Sequence, residues 1–167
     1  MSKIIIVDDK NNYIGVKSRS DIDYEKDIYQ SSALWVVNTQ GEALVAQRKL
    51  TKDKDPGKWG PSVAGTVDEG EDYDINVYKE AEEEIGLTGY KFQKGGMERL
   101  YAPRSQFVQW YKVLVDEPLE YFTAQEEEVE QLQWIDISDL HKDVEQNPDK
   151  YVPSMGVALD YLGENPL

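Results

Sequence analysis

The apolar positions of this chain fall into short runs. Residues 3 to 8 (KIIIVD) and 13 to 17 (YIGVK) are two brief apolar segments, and the Asp9-Lys10-Asn11-Asn12 turn between them predicts an N-terminal β-hairpin. The next stretch, residues 18 to 30, is polar and weakly patterned and reads as an irregular connector. Ala33 to Val37 (ALWVV) and Ala43 to Gln47 (ALVAQ) are strands joined by Asn38-Thr39-Gln40-Gly41. A basic loop, RKLTKDKDPGKW, then leads to GPSVAGTV, a short strand with glycines near both ends, and three more strands are expected at 90 to 100, 106 to 115 and 132 to 135.

The helical period shows clearly in one place. Val77, Ala81 and Ile85 recur every four residues from Tyr73 onward, and Gly86 stops the pattern, so 73 to 85 reads as a helix with one apolar stripe. Asp136 or Ser138 is placed to cap a short helix over 139 to 146, and Ser154 to cap a last one running to Leu162. Strands that outnumber helices, with one helix central and two at the end, predict an α/β sandwich on a mixed sheet. A chain of 167 residues is most simply one domain: hairpin and connector over 1 to 30, core over 31 to 140, helical segment over 141 to 167.

Composition narrows the chemistry. There is no cysteine, so a disulfide framework and a thiolate nucleophile are both excluded. The first apolar run is too short for a signal-peptide core or a membrane span, and the expected location is the cytoplasm. Eighteen basic against 33 acidic residues give a formal charge of -15, which argues against a nucleic acid polymer or an anionic membrane as partner. A small phosphorylated ligand stays compatible if a divalent cation screens the carboxylates.

The placement of the acids sharpens that point. On the 73 to 85 helix, Glu80, Glu83 and Glu84 stand at i, i+3 and i+4 in one narrow stripe beside the apolar one, while Glu82 points away. Like charges at this spacing cost about 0.2 to 0.5 kcal/mol per pair, and acids in a last turn about 0.3 to 1 kcal/mol each. A hard divalent cation reverses the sign, because Mg2+ takes carboxylate oxygens, keeps several waters and bridges to substrate phosphates. Lys79, four residues before Glu83, is expected to pair with it.

Gly65, Glu71, Glu80, Glu83, Glu84 and Gly86, with aliphatics at Ala81 and Leu87, match the signature of the Nudix hydrolases: Gly, five residues, Glu, seven residues, Arg-Glu-aliphatic-any-Glu-Glu-any-Gly-aliphatic. The chain resembles that family over roughly residues 30 to 140, and departs from the signature where Lys79 replaces the arginine. The resemblance implies an α/β/α sandwich with the box as loop, helix and loop. It implies Mg2+ or Mn2+ held by Glu80, Glu83 and Glu84 with the backbone carbonyl of Gly65, and support of the helix by Glu71 with Lys79. It also implies attack of water on phosphorus in a diphosphate linkage, with Glu83 and Glu128 as the candidate catalytic carboxylates. Glu128 is the third acid of AQEEEVEQLQW, six residues before Trp134, and its neighbours Glu126 and Glu127 share the acidic loop.

Arg48 opens the only dense basic stretch and is the candidate phosphate contact, since arginine grips phosphate bidentately. Lys49, Lys52, Lys54 and Lys58 read as its solvated loop. Trp59, with Trp35 and Tyr29, is a candidate to stack on a substrate ring, and His141 is read as a surface residue. The order hairpin, YQSSALWVVN, QRK, PGKW and SVAG before the box is similar to the isopentenyl-diphosphate isomerase branch, which relies on a cysteine and metal-binding histidines. Here Ala64 and Thr66 stand at the cysteine and one histidine, and Gln30 at another, so isomerase chemistry is not expected. A Nudix domain kept as a binding module is the third reading. Substrates implied are nucleoside di- or triphosphates, nucleotide sugars or a similar small diphosphate. A homodimer is left open, with the first hairpin as its edge.

Overall fold

The computed structural model describes residues 2 to 163, so the start of the expected hairpin segment and the last four residues of the helical segment lie outside the described residues. β1 (Lys3–Val7) and β2 (Tyr13–Ser18) form the expected antiparallel hairpin, with Asp8 accepting from the backbone of Lys10 and Asn12 to shape its turn. The connector contains one 3-10 turn, Arg19–Asp21. It ends sooner than the pattern suggests, because β3 runs Ile28–Val37. Its polar start is paid into hydrogen bonds with distant elements: Ser31 Oγ donates to Gln106 Oε1 at 2.6 Å and Ser32 Oγ to Asn76 Oδ1 at 2.5 Å.

β3 is the centre of a nine-stranded mixed sheet. It runs parallel to β8 (Gln106–Leu114) along its whole length, and β7 (Gln93–Leu100) continues outward antiparallel to β8. On its other edge lie β6 (Val63–Thr66) and β1. β4 (Glu42–Arg48) touches β3 only at Val37 and Ala43, then diverges to pair with β5 (Trp59–Gly60) and β9 (Val129–Asp136). The wedge between these two arms is where the cleft opens.

The run ALWVV is apolar throughout because both faces of β3 are covered. Leu34 and Val36 face α1 (Tyr73–Ile85) through Val77, Ala81 and Ile85, whereas Ala33, Trp35 and Val37 face α2 (Ile137–Gln146) and α3 (Met155–Leu162) through Leu140, Ala158 and Leu159. A third cluster, Ile4, Ile6, Ile22 and Tyr29, seats the hairpin on the connector. The layers are helix, sheet, helix, as expected.

The caps divide the expectations. Asp72 caps α1 by accepting from Ile75 N at 2.8 Å, and Gly86 closes it in the left-handed region (φ 67) while Leu87 N donates to Ala81 O. Asp136 rather than Ser138 caps α2, and the Ser138 hydroxyl donates to Asp136 instead. Ser154 sits at the N-terminus of α3 without a capping side-chain bond. β7 starts at Gln93, not 90, because the backbone N–H of Phe92 is taken by Tyr78 Oη at 2.8 Å beneath a Tyr78–Phe92 ring stack.

Candidate active site

A cleft of about 850 Å3 lies in the wedge, and Gly65, Lys79, Glu80, Glu83, Glu84, Arg48 and Glu128 all line it. The acid stripe reaches it because α1 packs directly on β6. A Cβ on Gly65 would stand 2.5 Å from Glu80 Cδ and 2.9 Å from Oε1, so the bare backbone of that strand is what admits the Glu80 carboxylate. Burial pushes the Glu80 pKa up to about 7, with Lys79 opposing and Glu83 reinforcing the shift. Burial likewise holds Glu84 well above the usual carboxylate range, and Glu80 and Glu128 add to it while a backbone bond from Ala64 and the Arg48 charge oppose it. Glu83 and Glu82 are exposed, and only Glu83 is on the cleft side.

Lys79 does not pair with Glu83. Its ammonium sits among Glu71 Oε1 at 2.5 Å, Asp68 Oδ2 at 3.2 Å and Glu80 Oε1 at 3.6 Å, because the box loop folds back over the helix and offers closer acids than the next turn does. Glu71 stands behind the cleft wall. Burial acts to raise its pKa, and the bonds from Lys79, from Asn76 Nδ2 and from the Asp68 backbone outweigh it and keep the carboxyl below its ordinary value.

Two residues that the motif did not single out complete this layer. Asn76 is fully buried on α1, one turn before Glu80; its Nδ2 donates to Thr66 O at 2.9 Å and to Glu71 Oε2 at 2.9 Å, with Glu80 Oε1 at 3.5 Å. The signal was present as an asparagine four residues before Glu80, in line with the acid stripe. Asp68 offered none, since its partners come from α1 and from Arg19, 49 residues away.

The loop after the central sheet closes the helix end. Thr123 N donates to Ile85 O at 3.0 Å and Gln125 N to Glu84 O at 2.9 Å, which brings Glu128 to the cleft. Glu128 pairs with Lys52 at 2.5 Å, whereas Glu126 and Glu127 are exposed and do not line the cleft. Arg48 Nε donates to Lys54 O at 3.0 Å, tying the basic loop to the cleft rim. Lys52 and Lys54 line the cleft, and Lys49 and Lys58 do not.

The aromatic candidates separate. Trp59 does not line the cleft; it packs against the core cluster of α2 and α3, and its carbonyl accepts from Val152 N. Trp35 is fully buried and donates to Ala158 O at 2.9 Å. Tyr29 does line the cleft, beside Tyr24 and Arg104, and burial pushes its pKa up to about 12. His141 is half-buried rather than on the open surface, with Nε2 3.3 Å from Gly163 O, and is not part of the cleft.

Two partly buried carboxylates whose ionised forms are disfavoured, an exposed third beside them and a strand backbone at Gly65 make an all-oxygen donor set that suits a hard divalent cation. Among the described residues no three acids or histidines close into a ready cage. An open set is what Mg2+ uses when water and substrate phosphate supply the remaining positions.

The NUDIX domain model matches residues 29 to 155. An uncharacterized Nudix hydrolase of Yersinia pestis is 28% identical over 92% of this chain and 81% of its own length, and a prenyl-diphosphate phosphatase of Methanosarcina mazei is 24% identical over 89% and 88%. The crystal structure of DR0079 from Deinococcus radiodurans shares the fold with a TM-score of 0.84 at 17% identity, covering 95% of this chain and 97% of that one. A box that folds as loop, helix and loop around one acidic cleft, with the family model spanning most of the chain, places this protein in the Nudix hydrolase family.

Proposed function

We propose that this protein hydrolyses a diphosphate linkage in a small phosphorylated substrate, with Mg2+ or Mn2+ held by Glu80, Glu83 and Glu84 and by the carbonyl of Gly65. The observation that carries the reading is the meeting of this acid stripe with Arg48 in one cleft. A bound divalent ion would lower the pKa of the attacking water and screen charge on the phosphoryl oxygens. Arg48 orients the phosphate with the guanidinium nitrogens that its bond to Lys54 O leaves free. Glu83 and Glu128 stand on the cleft wall to take the proton from water, and Lys52 pairs with Glu128 there at 2.5 Å.

The rim beyond the acids favours a polar leaving group. Arg19, Tyr24, Tyr29, Arg104 and Gln106 line it, which suits a nucleoside or sugar better than a hydrocarbon chain. A second reading, an isoprenoid diphosphate, draws on the apolar floor of Leu100, Val108 and Trp110 and on the likeness to a prenyl-diphosphate phosphatase. Isomerisation lacks its chemistry here, with Ala64 and Thr66 at the positions of the reactive residues and no cysteine in the chain.

The test is a panel of nucleoside di- and triphosphates, nucleotide sugars and isoprenoid diphosphates with Mg2+ or Mn2+, read by chromatography of the phosphorylated products. Turnover of polar members is expected, and Glu83→Gln should lower it by orders of magnitude without lowering the melting temperature, because that side chain is exposed. Tight binding of a panel member with no cleavage would refute the enzyme reading, and preferred cleavage of isoprenoid diphosphates would select the second one.

A further inference from the structure

The signature position before Glu80 calls for a planar guanidinium, and this chain supplies an ammonium. A guanidinium fixes one carboxylate bidentately; an ammonium is a point charge with rotatable donors and is located only by several acceptors around it. At Lys79 those acceptors are present: Glu71 at 2.5 Å, Asp68 at 3.2 Å and Glu80 at 3.6 Å. Without Asp68 the ammonium would pivot about its short bond to Glu71, and Glu80 Oε1 would keep only Asn76 Nδ2, at 3.5 Å, as a fixed polar neighbour.

Asp68 is itself held from outside the region that the family model covers, which begins at residue 29. β1 pins the chain on both sides of it, with Ile5 N donating to Val67 O at 3.2 Å and Glu69 N to Lys3 O at 2.7 Å. Arg19, from the connector, reaches Asp68 Oδ1 at 3.5 Å. The turn is closed from within by Glu71 N to Asp68 O at 3.0 Å and Asp68 N to Glu71 Oε2 at 3.2 Å. The hairpin therefore reaches the acid stripe through three links: strand to the two residues flanking Asp68, Asp68 to Lys79, and Lys79 to Glu80.

We infer that Asp68, clamped by the N-terminal hairpin, is a positioning residue that enables Lys79 to replace the guanidinium of the signature in orienting Glu80 within the cleft. The inference rests on the reading of Glu80 as a metal ligand. It assigns the first 28 residues a part in the site, and it makes the role of Asp68 conditional on a lysine at position 79.

A double-mutant cycle tests that condition. Mn2+ affinity, measured by calorimetry without substrate, and kcat are compared for wild type, D68N, K79R and the double variant, with metal-free melting temperatures alongside. In the wild-type background D68N should weaken Mn2+ binding about tenfold and lower kcat in step, as loss of a residue supporting a ligand does. In the K79R background the same substitution should cost less than about threefold, since a bidentate pair to Glu71 no longer needs the second carboxylate. Equal factors in both backgrounds, or wild-type Mn2+ affinity in D68N, overturn the inference while leaving the hydrolase reading intact. A wild-type chain that neither binds Mn2+ nor cleaves any diphosphate overturns both.

Discussion

Replacing Gly65 with alanine should separate catalysis from folding. The glycine has no positive φ, so alanine is compatible with its backbone, and β6 keeps its pairing of Ser32 with Gly65 and Ala33 with Ala64. The cost falls on Glu80. The new Cβ would lie 2.5 Å from Glu80 Cδ, and ordinary contact begins at 3.4 Å, so the carboxylate must retreat by 3.4 − 2.5 = 0.9 Å. Lys79 and Asn76 stand around Glu80 Oε1 at 3.6 and 3.5 Å and leave it little room to retreat without giving up those partners. A misplacement near 1 Å is worth about 10²-fold in rate, or about 2.7 kcal/mol of lost transition-state stabilisation. Folding should barely notice, because the gain of about 0.4 to 1 kcal/mol from a less flexible unfolded chain is of the same size as the about 0.5 to 1.5 kcal/mol strain of an off-rotamer Glu80. Steady-state kinetics, Mn2+ calorimetry and a thermal melt on G65A read the three quantities. A wild-type rate and affinity, or a rate loss matched by unfolding, would refute the account of why this strand is bare.

The raised Glu80 pKa, about 7 against an ordinary 4.5, means that the metal-free folded state binds a proton that the unfolded chain has already lost between those values. Its contribution therefore diminishes as pH rises from 4.5 through 7. The melting temperature of metal-free wild type should fall relative to that of E80Q over pH 5 to 8, and Mg2+ should restore it at pH 8; a constant difference would refute the burial argument. Asn76→Ala should destabilise the fold by about 3 kcal/mol in urea unfolding, because the Ser32 hydroxyl and Thr66 carbonyl lose buried partners together; a loss below about 1 kcal/mol would show that the site layer repacks freely.

What was legible in the chain is what depends on local period. ALWVV announced a strand, and Glu80, Glu83 and Glu84 announced a stripe, because strand and helix geometry alone decide which side chains share a face. What escaped depends on partners far along the chain. Ser31 and Ser32 look like polar residues ahead of the ALWVV strand until Gln106 and Asn76, 75 and 44 residues on, receive their hydroxyls. Lys79 looks like an i,i+4 partner of Glu83 until the box loop brings two acids and leaves Glu80 closer than Glu83. Trp59 looks like a stacking platform, but a large apolar ring beside an open core is drawn to bury, and the core of α2 and α3 is adjacent.

The acids at the end of α1 show how the two kinds of information combine. Glu82, Glu83 and Glu84 crowd the negative pole of the helix, and no basic residue stands in its last turn. The pole is moderated from outside, since Thr123 and Gln125 direct backbone N–H groups at the carbonyls of Ile85 and Glu84 and so satisfy the groups that carry its partial charge. That arrangement offsets the dipole but not the mutual repulsion and burial that raise Glu80 and Glu84. The part left unbalanced lies on the cleft side only, where Glu82 has no share in it, and it is there that a divalent cation would stabilise the helix most. The same loop that tempers the pole also carries Glu128 to the cleft, so the element that makes the acidic terminus tolerable is the one that completes the site.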